Sequence, residues 1–236
     1  MKKKLQSIIH TLEDHVRSER NKGINFILNF DDKKEGACKT DPITPSKNES
    51  SNIIEETQNK VLVCTKCSLF DTRKNTVFGE GSLTADLVFV GEAPGADEDE
   101  TGRPFVGKAG RLLTEMIEKS RSLGLKRSDV YICNILKCRP PGNRNPLPTE
   151  ILECREYLMK QLNFIKPKII CTLGSIATQA LLDTKQGITK LRGQFYDFNG
   201  TLLIPTFHPA YLIRNASKKK EAWEDMLLIK EKLNER

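Results

Sequence analysis

Two sets of residues have the types and spacing to do chemistry. The first is a group of cysteines: Cys64 and Cys67 form a C-x2-C step, and Cys138 and Cys154 follow with fifteen residues between them. Four thiolates can hold a structural zinc ion or an iron-sulfur cluster. Paired C-x2-C knuckles favour zinc, but only the first half has that form, so spacing leaves the metal open. The other cysteines read differently. Cys133 and Cys171 lie in apolar runs, where a thiol packs as a small hydrophobe, and Cys38 lies in a polar stretch. An odd total of seven, in a chain expected to be cytoplasmic, points to metal or redox use of a subset rather than to disulfides.

The second set is polar. Gly91-Glu92-Ala93-Pro94-Gly95 follows an apolar run, and its glycines let backbone N-H groups come close to a ligand. Glu92 is the carboxylate nearest the end of that run and the best catalytic candidate, while Asp97, Glu98 and Asp99 read as a solvated or helix-capping cluster. His208, in FHPAYLIR, is one of three histidines, and the others, His10 and His15, lie near the N-terminus. Any imidazole chemistry therefore falls to His208. The segment GRPFVGKA from Gly102 nearly matches a phosphate-cradling loop but ends in Ala109, which has no hydroxyl for magnesium, and Pro104 removes a donor. A nucleoside triphosphatase is not expected, although Lys108 at a helix N-terminus could meet a phosphate.

The elements that must position these residues are those of an α/β protein. Strands are expected at DLVFVG, VYICNI, KIICTLG and TLLIPTF, ending near Gly91, Ile135, Gly174 and Phe207. Helices are expected over about 107–122, 148–164, 175–182 and 218–236. The predicted fold is a three-layer α/β/α sandwich with a central, mostly parallel four-stranded sheet. In such sheets ligands bind beyond the carboxyl ends of the strands, where GEAPG, Asn134, Gly174 and FHPAY all fall.

Residues 1–59 are expected to form an N-terminal amphipathic helix, carrying Leu5, Ile8, Ile9, Leu12 and Val16, and then a disordered linker over about 31–58. Residues 60–236 are the working domain. The first part holds 10 Lys/Arg and 10 Asp/Glu, so the other 28 and 21 carry the whole net charge of +7. Such an excess suits a nucleic-acid partner but is weak alone. No apolar run approaches the roughly 18 to 20 residues of a membrane helix.

The pieces CTKC, GEAPGADEDETGRPFVGKAG, CNILKCRPPGNRNP, the helical Cys154 and PTFHPAYLIRN, in that order, resemble the family 4, iron-sulfur uracil-DNA glycosylases. The resemblance runs from about Val61 to Asn215 and leaves the first 59 residues outside. It implies monofunctional hydrolysis of the bond between uracil and deoxyribose in DNA, leaving an abasic site, by a protein expected to be monomeric. By residue matching, Phe105 stacks on the base, Asn134 reads its edge and His208 faces uracil O2. Gly91, Glu92 and Ala93 help hold the base, with Glu92 orienting water or supporting the sugar cation. The same matching gives Cys64, Cys67, Cys138 and Cys154 to a [4Fe-4S] cluster. Tyr211 and Leu212 sit where a wedge into the base stack would be useful, and Lys108, Lys137, Arg139, Arg144 and Arg214 are candidates for DNA phosphate contacts.

A non-catalytic iron-sulfur DNA-binding module is the alternative, and the presence of Glu92, Asn134 and His208 together favours the enzyme. A covalently trapping relative is disfavoured, because the chain carries Glu92 and a plain RGQFYDF from Arg192 rather than a basic, histidine-bearing insert.

Overall fold

The computed structural model describes residues 47–235, with side chains from Ile53 onward, and all of them belong to one compact unit. The expected N-terminal helix and most of the expected linker lie outside the described residues. The end of that linker does not stay irregular. Helix α1 (Lys47–Leu62) covers it, burying Ile54, Thr57 and Val61. Spacings of three and four put these on one face, against Phe78 and Tyr157. The boundary expected at residue 59 thus falls inside a helix of the folded unit.

The four expected strands are β2 (Leu87–Gly91), β3 (Tyr131–Asn134), β4 (Ile169–Leu173) and β6 (Thr201–Thr206). All four run parallel, in the order β3-β2-β4-β6. The sheet has six strands rather than four. Two short antiparallel strands, β1 (Glu80–Gly81) beside β3 and β5 (Tyr196–Phe198) beside β6, close its edges. β5 joins β6 through Asn199-Gly200, both at positive φ (51° and 82°), the two-residue hairpin turn that Asn-Gly favours.

Every residue of β2, β3 and β4 is buried, as a parallel sheet covered on both faces requires. Successive side chains alternate between two cores. Leu87, Phe89, Ile132 and Ile204 face α3 (Lys108–Glu118) and α8 (Lys219–Asn234), through Leu113, Met116, Ile117, Met226 and Ile229. Val88, Val90, Cys133 and Leu203 face α4 (Pro148–Ile165) and α5 (Ser175–Leu182), through Leu158, Leu162, Ala177 and Leu181. Each fully buried side chain of this size contributes about 2 kcal/mol of transfer free energy. Three short helices complete the chain: α2 (Ala96–Thr101), α6 (Ile188–Leu191) and α7 (Pro209–Arg214). No described helix is long and apolar enough to cross a membrane.

Candidate active site

The ladder itself assembles the site. Gly91, ending β2, is the register partner of Asn134, ending β3, and Leu173 of β4 pairs with Thr206 of β6, two residues before His208. β2 has β3 on one side and β4 on the other, so the crevice lies where the strand order reverses. A cavity of about 430 Å³ opens there, lined by Glu92, Ala93, Phe105, Asn134, His208 and Arg214 among others.

Close approach makes Gly91 and Gly110 necessary. A Cβ on Gly91 would stand 2.3 Å from Asn134 Oδ1 and 2.6 Å from Phe105 Cζ, and one on Gly110 would stand 1.9 Å from the Phe105 carbonyl oxygen. Phe105 itself is at φ 51°, the left-handed region, and only 7% exposed. Its ring meets that of His208 at 5.8 Å between centroids. Asn134 is 1% exposed, and its Oδ1 is buried with no hydrogen-bond partner. An orphaned buried acceptor costs about 1 to 3 kcal/mol, so its place in a cavity wall marks a ligand position.

His208 caps α7, its Nδ1 accepting the Ala210 N-H at 3.1 Å. That acceptor role puts the proton of the neutral ring on Nε2. Burial, then the Arg214 charge, push its pKa down to about 4, against a smaller opposing effect of Glu98. The ring is therefore a neutral donor at physiological pH. Behind it, Thr206 Oγ1 donates to the buried Asp225 at 2.6 Å, and Arg192 Nε reaches the same carboxylate at 3.0 Å. Glu92 has no side-chain hydrogen bond among the described residues, and burial raises its pKa.

The acidic cluster read as solvated does more than cap α2. Glu98 Oε1 accepts the Val106 and Gly107 N-H groups at 2.8 and 3.0 Å, and its Oε2 accepts the Gly95 N-H at 3.1 Å. One carboxylate thus ties the loop after β2 to the loop carrying Phe105. Two N-H groups of GRPFVGKA, those of Val106 and Gly107, are thus engaged by a carboxylate. Asp99, 3% exposed, accepts the Lys74 N-H at 3.0 Å. Only the spacing of Glu98, three residues beyond a glycine at a helix start, hinted at this role.

The candidate DNA contacts divide. Lys137 is not a surface cation: it is 1% exposed, with Nζ donating to the Asn134 carbonyl at 2.9 Å and to Gln161 Oε1 at 2.6 Å. Leu212 is not a wedge either, being 1% exposed on the inner face of α7, packed into the core. Tyr211 lines the cavity with its ring 5.2 Å from that of Phe207. Arg144 also lines it but is held by both oxygens of Glu150, at 2.9 and 2.6 Å, and Arg139 Nε donates to Asn143 Oδ1 at 2.8 Å. Lys108 and Arg214 are exposed, Lys108 at the start of α3 and Arg214 on the cavity wall. Asn143, unremarked in the sequence, lines the cavity at φ 55°.

The four selected cysteines line one small cavity beyond β3, with Lys66, Arg73, Lys137 and Tyr157. None of the six described cysteines is in a disulfide. Arg73 Nη1 donates to Cys138 Sγ at 3.2 Å and the Lys137 N-H to Cys154 Sγ at 3.3 Å. Burial holds the Cys154 thiol up to about 11, and Lys137 opposes it. Among the described residues, no three His, Cys, Asp or Glu side chains are gathered so as to hold a single metal ion. Cys133 and Cys171 are buried in β3 and β4 as small hydrophobes.

Comparison with known proteins agrees with this geometry. The family described as the uracil DNA glycosylase superfamily matches residues 78–227. The chain is 49% identical over 169 residues to a type-4 uracil-DNA glycosylase of Thermotoga maritima, covering 71% of this chain and 86% of that protein. It is 46% identical over 183 residues to the type-4 enzyme of Saccharolobus solfataricus, covering 74% and 84%, and 41% identical over 186 residues to that of Archaeoglobus fulgidus, covering 75% and 92%. With its strand-end residues converging on one cavity and likeness of this extent, the chain belongs to the uracil DNA glycosylase superfamily, among its type-4 members.

Proposed function

We propose that the protein hydrolyses the N-glycosidic bond of uracil in DNA, leaving an abasic site for base excision repair. The observation that carries this is the unpaired, buried Asn134 Oδ1 in the cavity wall. Uracil presents a donor at N3 and an acceptor at O4, which one carboxamide satisfies with its oxygen and nitrogen. Cytosine presents the reverse pattern and leaves both groups unpaired. A base enters such a cavity only after it has left the stack, and Phe105 offers its ring as the stacking surface.

As the glycosidic bond breaks, negative charge collects on uracil and positive charge on the sugar. The neutral His208, with its proton on Nε2, donates toward O2 and stabilises the leaving base more in the transition state than before it. Its low pKa argues against a role as an imidazolium acid. Glu92, at the end of β2 and short of partners, orients or deprotonates the water that attacks the sugar, and its raised pKa suits a base.

The same reading gives Cys64, Cys67, Cys138 and Cys154 a [4Fe-4S] cluster. The four thiols share a cavity, and Arg73 Nη1 and the Lys137 N-H donate to two of their sulfurs. When bound, the cluster would cross-link the segment after α1, the loop after β3 and α4, a structural service. Free thiols and such a cluster suit the reducing cytoplasm. Incubation with a uracil-containing oligonucleotide in EDTA, then alkali, should cut the strand at uracil, while a cytosine control stays intact. An uncut uracil strand would leave only the binding-module reading.

A further inference from the structure

We propose that Lys137 is a positioning residue for Asn134, fixing the base-reading carboxamide through the Asn134 main-chain carbonyl and anchored in turn to the cysteine site. The proposal rests on Asn134 being the uracil reader, and its test separates the two.

Lys137 is held at both ends. Its N-H donates to Cys154 Sγ at 3.3 Å and its carbonyl accepts the Val77 N-H at 2.8 Å. Its side chain crosses the core to the Asn134 carbonyl, at 2.9 Å, and to Gln161 Oε1, at 2.6 Å. Gln161 is wholly buried and is itself fixed, its Nε2 donating to the Phe78 carbonyl and to Tyr131 Oη, both at 2.9 Å. The Lys137 amine also lies 5.9 Å from the centre of the Phe78 ring. Every polar group of this chain of contacts is paired, and none of the amine's hydrogen-bond partners is a carboxylate.

Burying an amine is costly, and an apolar side chain of the same length would fill the space without that cost. What the amine adds is direction. β3 ends at Asn134, and the peptide plane that follows is held on its N-H side by the Ile135 N-H donating to the Gly91 carbonyl at 2.9 Å; Nζ completes the hold on that plane from its carbonyl side. Fixing it sets the Cα-Cβ direction of Asn134 and hence where Oδ1 and Nδ2 point. Lys137 so connects the cysteine cavity to the base pocket, through Cys154 Sγ at one end and the Asn134 main-chain carbonyl at the other.

The test uses the full-length, iron-loaded protein and its Lys137→Met, Asn134→Ala and doubly substituted forms, measuring free-uracil affinity by calorimetry, single-turnover excision, and binding to uracil-free DNA. Lys137→Met should weaken uracil binding and slow excision by about ten-fold, and in the Asn134→Ala background it should add less than about two-fold. Equal losses in both backgrounds, or a loss of uracil-free DNA binding, would overturn the proposal. Full uracil affinity in Asn134→Ala would instead overturn the reading of Asn134. If Lys137→Met does not fold, Gln161→Met, which leaves the amine one acceptor, should weaken uracil binding by about three-fold in the same background-dependent way. Unchanged affinity there would equally overturn the proposal.

Discussion

The base pocket and the cysteine site sit at the same end of the same strand and are built in opposite ways. Asn134 closes β3 in the pocket, and Cys138 follows four residues later in the other cavity. In the pocket, polar groups are left without partners among the described residues: the buried Asn134 Oδ1 accepts nothing, and the half-buried Glu92 has no side-chain hydrogen bond. Around the cysteines, the neighbouring polar groups are engaged. Arg73 and the Lys137 N-H point at sulfur, and the Lys137 amine has two acceptors. A native fold tolerates unpaired buried groups chiefly where a ligand completes them. On the proposed reading, one site acts on a molecule and the other holds the chain together.

Substitutions should separate the two. The largest effect is expected in the pocket: Asn134→Ala should lower kcat/KM on uracil-containing DNA by about a thousand-fold, with the thermal midpoint nearly unchanged. His208→Ala removes the donor to the leaving base and should lower single-turnover excision by about a hundred-fold. Glu98→Ala frees the loop of Phe105 without removing a group that touches the base, so a loss of about ten-fold, mostly in kcat, is expected. Cys138→Ser should reverse the pattern. Its visible iron absorbance should vanish and its midpoint fall by about 5 to 10 °C, while excision per folded molecule changes less than about ten-fold. A cysteine variant that abolished excision at full stability would end the contrast.

The smallest effects are in pH dependence. Burial raises the Glu92 pKa, so its carboxylate ionises only above the ordinary range. Excision should then rise with pH through that raised value, and Glu92→Gln should remove the limb. His208 takes a proton in the folded state only near 4, against about 6.5 when unfolded. Between these values the unfolded chain binds more protons, so stability falls as pH drops from about 6.5 to about 4. His208→Asn should flatten that slope in denaturant titrations, and no histidine limb should appear in the excision profile near 6.5.

Much of the pocket was legible because its residues stand at strand ends. The apolar runs ending near Gly91, Ile135, Gly174 and Phe207 mark to within a residue where four parallel strands stop, and ligands gather there. The edge strand β5 was not expected: Asn199-Gly200 is a hairpin signal, but Tyr196-Asp197-Phe198 before it is too short to show a strand alternation. β1, with two residues, carries no pattern at all. α1 was hidden because only Ile54, Thr57 and Val61 mark its buried face within a polar stretch.

The sequence by itself determined the α/β class, the places along the chain where the parallel strands end, and the residue types of both sites, because apolar runs and strand-end chemistry are local. Tertiary structure alone decided what each charge does. Lys137 and Arg214 are both basic residues near a motif, yet one is buried against Asn134 and the other stands on the cavity wall. Leu212 and Ile213 are adjacent apolar residues, one 1% exposed in the core and the other 46% exposed. Glu92 and Glu98 lie six residues apart, one without a side-chain hydrogen bond and the other accepting three N-H groups. Which face a helix turns inward, and which loop closes over a carboxylate, depends on contacts between residues far apart in the chain, and no local pattern records them.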